Sequence, residues 1–335
     1  MSYPYYSDEL IQATEPVELP PSSYHDQKPE HYLPDSGLVN AVNVALILGQ
    51  PLLLTGEAGT GKTQLAYHLA HQLRLAEPLK FETKSNSIAK DLFYLYDYLG
   101  HFYAAQTKQG SQRSQDYITY HALGLAILRA NPVDQIQDII NNSFKQISDK
   151  PCRSVVLIDE IDKAPRDFPN DILNEVEAMY FRIAELQNRE VKAEPALSPV
   201  LVLTSNSEKH LPDAFLRRCI YYHIPFPEKE RLTKIVVKRL GDDYSGQKSG
   251  FLSRALDFFY ELRKGNLRKK PATAELLNWL TTFHEIFPDA ENNNILSAEI
   301  LLTTALGCLA KQDDDVAKAK QVIEDWVKND KISSA

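Results

Sequence analysis

The chain has 335 residues, 43% apolar and 24% charged, which is enough for two domains with sizeable cores. Its formal net charge of −8 disfavours broad, non-specific nucleic-acid binding, though not a local basic site. Three widely spaced cysteines (Cys152, Cys219 and Cys308) argue against a disulfide framework or structural zinc and fit a reducing compartment. With no membrane-length apolar run and no leader-like start in Met1 to Tyr5, a cytoplasmic protein without membrane insertion is expected.

Residues 1–34 are rich in Pro and Tyr and lack periodicity, so they read as an extended arm, wrapped on the core or partly disordered. Residues 35–227 alternate strand and helix patterns. Leu38, Val42, Ala45 and Leu46 share one helical face, with Asp35 or Ser36 as the cap and Gly49 as the stop. Pro51 to Thr55 is an apolar run of strand length. Directly after it stands Gly56-Glu57-Ala58-Gly59-Thr60-Gly61-Lys62-Thr63, which fits G-x-x-x-x-G-K-[ST], the P-loop. Leu65, Leu69 and Leu73 then recur at helical spacing, so the loop lies between a buried strand and a helix N-terminus. Glycines let backbone N–H groups wrap an anion, and the helix N-terminus adds partial positive charge. Gly56 to Gln64 are therefore the expected nucleotide-binding residues. Within them Lys62 reaches the terminal phosphates and Thr63 offers a hydroxyl to Mg²⁺.

Leu79 to Lys84 reads as the next strand. The stretch Asp91 to Tyr103 carries Phe93, Tyr94, Tyr96, Tyr98, Phe102 and Tyr103, and its spacing favours helix packing over an exposed aromatic loop. Residues 105–115 look like a loop, and a helix is expected from Ile118 to about Arg129. Ser154 to Ile158 and Val200 to Thr204 are apolar on both faces, as central parallel strands are. Between them, Gln187-Asn188-Arg189 marks a hairpin. Ile220 to Ile224 is the last of five strands, which predicts an α/β fold with a doubly wound parallel sheet. Beyond Pro225-Phe226-Pro227 the pattern is helical only, at 228–240, 251–263, 272–286, 295–311 and 315–328. Residues 228–335 thus read as a small all-α lid domain.

A second set of polar residues follows the apolar strands. Asp159-Glu160-Ile161-Asp162 stands at the C-terminal end of a central strand, where α/β sheets bind ligands. Asp159 is placed to hold Mg²⁺, and Glu160 to orient or deprotonate the attacking water. Taken alone, the same residues fit a solvated acidic turn. Asn206 closes the next strand and could bridge the γ-phosphate and the water, or simply cap a turn. Arg217 and Arg218 could offer a guanidinium to phosphate, in cis or to a neighbouring subunit, or be surface arginines. The densest basic cluster, Arg263-Lys264 with Arg268-Lys269-Lys270, fits a solvated face, a phosphate sensor or a small nucleic-acid contact.

Together these residues resemble the AAA+ ATPases, and within them the MoxR family of the helix-2-insert clade, over about residues 33–330. Gln50 to Thr63 looks like the family's Walker A segment. Asp159 to Pro165 is similar to its Walker B segment, with Asp162-Lys163 where Asn-Arg is the commoner pair. Asn206 falls at sensor 1. Arg218, or failing it Arg217, falls at the arginine finger. Arg268, Lys269 or Lys270 falls near sensor 2, where this chain departs from the commoner Pro-Arg form. The aromatic region falls at the helix-2 insert and the hairpin at the pre-sensor-1 hairpin. The resemblance implies a ring, usually hexameric, with Mg-ATP between subunits. It also implies chaperone-like remodelling of a partner, often a protein with a von Willebrand factor A domain. A nucleic-acid-handling NTPase, a nucleotide-gated binding module and a small-molecule P-loop kinase are the rival readings. The lack of an N-K-x-D guanine signature favours ATP over GTP.

Overall fold

A computed structural model describes residues 18–19, 28–140, 147, 150–206 and 211–333, with side chains to 329. The extended-arm reading of residues 1–34 falls mostly outside these. Its described part includes one turn, Pro29–His31. Backbone contacts divide the described residues into a unit of residues 34–225 and a unit of residues 226–333, which the described residues before 34 join.

In the 34–225 unit, α1 (Ser36–Leu48) starts where the Asp35 carboxylate accepts from Leu38 N at 2.7 Å. There follow β1 (Leu52–Thr55), α2 (Lys62–Gln72) and β2 (Leu79–Glu82). Next, β3 (Tyr94–Tyr96) and β4 (Ile118–Tyr120) pair antiparallel around α3 (Tyr98–Thr107). Then α4 (Ala122–Arg129) and the single turn α5 (Val133–Ile136) precede β5 (Val155–Asp159). Short α6 (Phe168–Asp171) and α7 (Leu173–Ala178) lead into the hairpin β6 (Tyr180–Ile183) and β7 (Arg189–Lys192). The unit ends with β8 (Val200–Thr204), α8 (Asp213–Leu216) and β9 (Ile220–His223).

Five strands form one parallel sheet in the order β2-β5-β8-β1-β9. The three inner strands are buried almost throughout, because helices cover both faces, and this is why they read as unbroken apolar runs. The edge strands β2 and β9 alternate instead. All five point the same way, so the loops after β1, β5 and β8 emerge along one rim of the sheet.

The aromatic stretch divides in two. Phe93, Tyr94 and Tyr96 are buried on or beside β3, with Phe93 stacked on Phe181 at 5.5 Å, so they pack as a strand and not as a helix. On α3, Tyr98, Leu99, Phe102 and Tyr103 are exposed. The helix expected from Ile118 begins only at Ala122. Ile118 and Tyr120 face inward around an exposed Thr119, which is a strand's alternation. The loop expected at 105–115 is shorter than that, since α3 runs to Thr107 and a further turn covers Ser114–Tyr117.

Glu185, in the β6–β7 connection, fastens this region to the hairpin. It accepts from Lys90 Nζ at 2.6 Å, from Tyr94 Oη at 2.8 Å, and from Tyr98 Oη. Burial would raise its pKa, but the bonds from Lys90, Tyr98 and Tyr94 outweigh that and hold it at about 2. A folded pKa below the unfolded value gives stability that is present above about pH 4.5 and lost as the pH falls toward 2. At neutral pH it amounts to about 3 kcal/mol. Glu185→Gln should therefore lower the thermal midpoint of this unit by about 4–10 °C at pH 7. The gap from wild type should close as the pH drops below about 4. Equal midpoints at pH 7 would remove Glu185 from the account of stability.

The helical unit comprises α9 (Lys229–Leu240), α10 (Ser249–Lys264), α11 (Thr273–Ile286), α12 (Pro288–Asn292), α13 (Ala298–Leu309) and α14 (Asp313–Ser333). Its core centres on Trp279, Phe251, Phe258, Phe259 and Phe283, and the Trp279 indole N–H donates to Thr304 Oγ1 at 2.9 Å. The sequence pattern missed α12. Glu291 anchors it, buried and bonded to Tyr244 Oη at 2.5 Å, Lys248 Nζ at 2.9 Å and His284 Nδ1 at 2.6 Å. Arg263 leaves the basic cluster: it is buried, stacked over the Phe226 ring at 3.4 Å, and donates to Pro271 O. Among the described residues no helix is long and apolar enough to cross a membrane.

Candidate functional site

The loop after β1 owes its shape to glycine. Gly56, Gly59 and Gly61 have φ of 140°, 75° and 89°, and a Cβ on Gly56 would sit 2.6 Å from Ile224 O. Left-handed glycines in such a loop turn backbone N–H groups into an anion-binding concavity. The eleven-residue α2 begins at its end, adding the N-terminal charge of a helix. Glu57, Ala58 and Gly59 are exposed, and Thr60 and Gln64 are partly so; Thr60 Oγ1 donates to Glu57 O at 2.8 Å. Lys62 is 7% exposed and curls back over the loop, with Nζ 2.9 Å from each of Gly56 O, Glu57 O and Asn206 Oδ1. Burial pushes its ammonium below the usual lysine range, against the pull of Asp162, Asp159, Glu160 and Glu57.

The ends of β5 and β8 complete the cluster. Asp159 Oδ1 accepts from Thr63 Oγ1 at 3.0 Å and from Thr204 Oγ1 at 2.6 Å, while Oδ2 faces Lys80 Nζ at 3.2 Å. Glu160 takes a left-handed φ of 55°, and its N–H donates to Thr204 Oγ1 at 2.9 Å. Its carboxylate accepts from Asn206 Nδ2 at 3.3 Å and from Lys163 Nζ. Asn206 N donates to Asp162 Oδ1 at 3.2 Å. Lys62, Thr63, Asp159, Glu160 and Asn206, widely separated in sequence, thus form one hydrogen-bonded network on the rim of the sheet. The Thr63 hydroxyl and the Asp159 carboxylate are hard oxygen donors side by side, a set that fits magnesium. The loop and Lys62 fit phosphate.

Comparison with known families agrees with this arrangement. Residues 52–227, more than half of the chain, match the model of the ATPase family associated with various cellular activities (AAA). The chain belongs to this family. No curated protein matches it. Among solved structures, the S. cerevisiae Hsp104-ADP complex is similar at 19% sequence identity and a TM-score of 0.38. That match covers 62% of this chain and 36% of that one.

This AAA ATPase gathers only part of the residue set expected from its sequence. Arg217 and Arg218 close α8 and immediately precede β9, whose first residue Ile220 pairs with Leu52 at the start of β1. The two arginines therefore stand at the rim opposite the P-loop of their own chain. Four strand residues, about 13 Å, lie between the rims before any loop is counted. Both are exposed; Arg218 Nε bonds Glu177 Oε2 at 3.0 Å, while Arg217 makes no side-chain ion pair among the described residues. Arg268 lies in the helical unit. Its guanidinium pairs with Asp314 at 3.0 Å, and its N–H and that of Lys269 donate to the buried Asp315 carboxylate at 2.8 and 3.0 Å. Lys80, Thr204 and the Lys163–Glu160 pair were not assigned from the sequence. Thr204 is signalled only by being polar at the end of an apolar strand, and Lys80 by nothing local.

Proposed function

We propose that this AAA ATPase binds and hydrolyses Mg-ATP, and that it does so as a MoxR-like ring that remodels or activates a partner protein. The observation that carries hydrolysis is the bridge at Asn206, which accepts from Lys62 and donates to Glu160, joining the phosphate-binding side to a carboxylate. On this reading the loop from Gly56 to Gln64 and Lys62 hold the phosphates. Glu160 orients the attacking water and takes its proton, and Asn206 fixes that carboxylate relative to the γ-phosphate. Thr63 and Asp159 would hold magnesium, which when bound neutralises charge on the phosphate oxygens. Arg268, with Lys269 and Lys270 as alternatives, would sense phosphate from the helical unit. The exposed face of α3 and the β6–β7 hairpin would meet the client, a von Willebrand factor A domain protein being the first candidate.

The placement of Arg217 and Arg218 on the rim opposite their own P-loop supports a finger that serves the next subunit, with Arg218 as the first choice and Arg217 the second. Arg218→Ala should lose about 10³-fold or more in turnover alone. Mixing it with Lys62→Ala protein should restore part of the activity, because intact P-loops then face intact arginines. No recovery at any ratio, for Arg218→Ala or Arg217→Ala, would count against a finger acting between subunits.

A further inference from the structure

Lys80 lies on the edge strand β2, two residues before Glu82, which pairs with Asp159 in the sheet register. Residues two apart share a strand face, and the Lys80 ammonium stands between two carboxylates, 2.7 Å from Glu82 Oε1 and 3.2 Å from Asp159 Oδ2. The two acids differ. The Glu82 side chain is 70% exposed, the Asp159 side chain 13%. Thr63 and Thr204 already occupy Asp159 Oδ1, so Oδ2 is the oxygen that Lys80 holds. Around this point the rim carries Glu57, Asp159, Glu160 and Asp162, a concentration of negative charge that polyphosphate must approach.

We propose that Lys80 is a built-in counter-cation of Asp159 that competes with magnesium for this carboxylate, and so sets how strongly nucleotide binding depends on the metal. The inference rests on the reading of Asp159 as the magnesium-side carboxylate. Without metal, the ammonium neutralises Asp159 and lowers the repulsion felt by phosphate. Magnesium held by Asp159 would have to share the negative charge that Lys80 already neutralises, so its apparent affinity would be reduced. Removing the charge therefore moves two quantities in opposite senses. Loss of a fold element would weaken both.

The test uses the full chain and a fluorescent N-methylanthraniloyl ADP, titrated in EDTA and then with added Mg²⁺. Lys80→Met should weaken ADP binding in EDTA by about three- to tenfold and lower the Mg²⁺ concentration at half-effect by a similar factor. Lys80→Arg should stay within about twofold of wild type on both. Glu82→Gln, at an exposed site, should move the Mg²⁺ half-effect upward, since it leaves Lys80 to Asp159 alone; this holds the test open if Lys80→Met fails to fold. Unchanged values in Lys80→Met, or shifts in the same sense, would overturn the role of Lys80 while leaving the nucleotide site standing. Wild-type protein that binds no ADP, or whose ADP binding ignores Mg²⁺, would overturn the underlying reading and this inference with it.

Discussion

Lys62→Ala is expected to lose measurable binding of ATP and ADP. Lys62 is 7% exposed, and its ammonium lies at the centre of the P-loop, 2.9 Å from two loop carbonyls and from Asn206. Truncation removes the charge that meets the phosphates, and charge-assisted hydrogen bonds contribute about 1.5–3 kcal/mol each. It also leaves Glu57, Asp159, Glu160 and Asp162 with less compensation, so the rim repels the nucleotide more strongly. Together these predict a loss of at least about 10²-fold in affinity, read by calorimetry or by a fluorescent nucleotide. Circular dichroism would confirm that the sheet is intact. Affinity within about threefold of wild type would detach Lys62 from phosphate and undo the assignment of the loop.

Glu160→Gln is expected to separate binding from turnover. The amide is nearly isosteric, the left-handed backbone at this position stays the same, and the Thr204 bond to the backbone N–H is untouched. What disappears is a base, together with an exposed pair to Lys163 that solvent screens. Nucleotide affinity should stay within a few-fold of wild type, while kcat falls about 10²- to 10⁴-fold. The variant should therefore hold ATP long enough to trap whatever client it acts on. Unchanged kcat would remove Glu160 from catalysis; lost affinity would make it a binding residue.

The parts of the fold that were legible are those where burial leaves a one-dimensional mark. Leu52 to Leu54, Val155 to Ile158 and Leu201 to Leu203 are apolar because helices cover both faces of the sheet. The P-loop was readable because its glycines and Lys62 must fall at fixed spacing within eight consecutive residues. Ile118 to Tyr120 misled because three residues of alternation run directly into a helix, and a short alternation also fits helical spacing. Arg263 misled for another reason: charge runs usually mark solvent, yet its guanidinium is consumed by the Phe226 ring and a backbone carbonyl. Lys80 was invisible because its partner is set by strand order. Only the pairing of β2 with β5 puts it on Asp159, and nothing in the spacing of residues 80 and 159 encodes that neighbour. The opposition of Arg218 to its own P-loop is likewise a property of parallel pairing between β1 and β9.

Phosphate release from ATP by the wild-type protein, with magnesium and at saturating nucleotide, tests hydrolysis at this site most directly. Sustained turnover that requires magnesium is the expected result. Tight ATP binding with no phosphate released, over the range of protein concentrations at which subunits assemble, would contradict it. It would make the chain a nucleotide-gated binding module in place of a hydrolase.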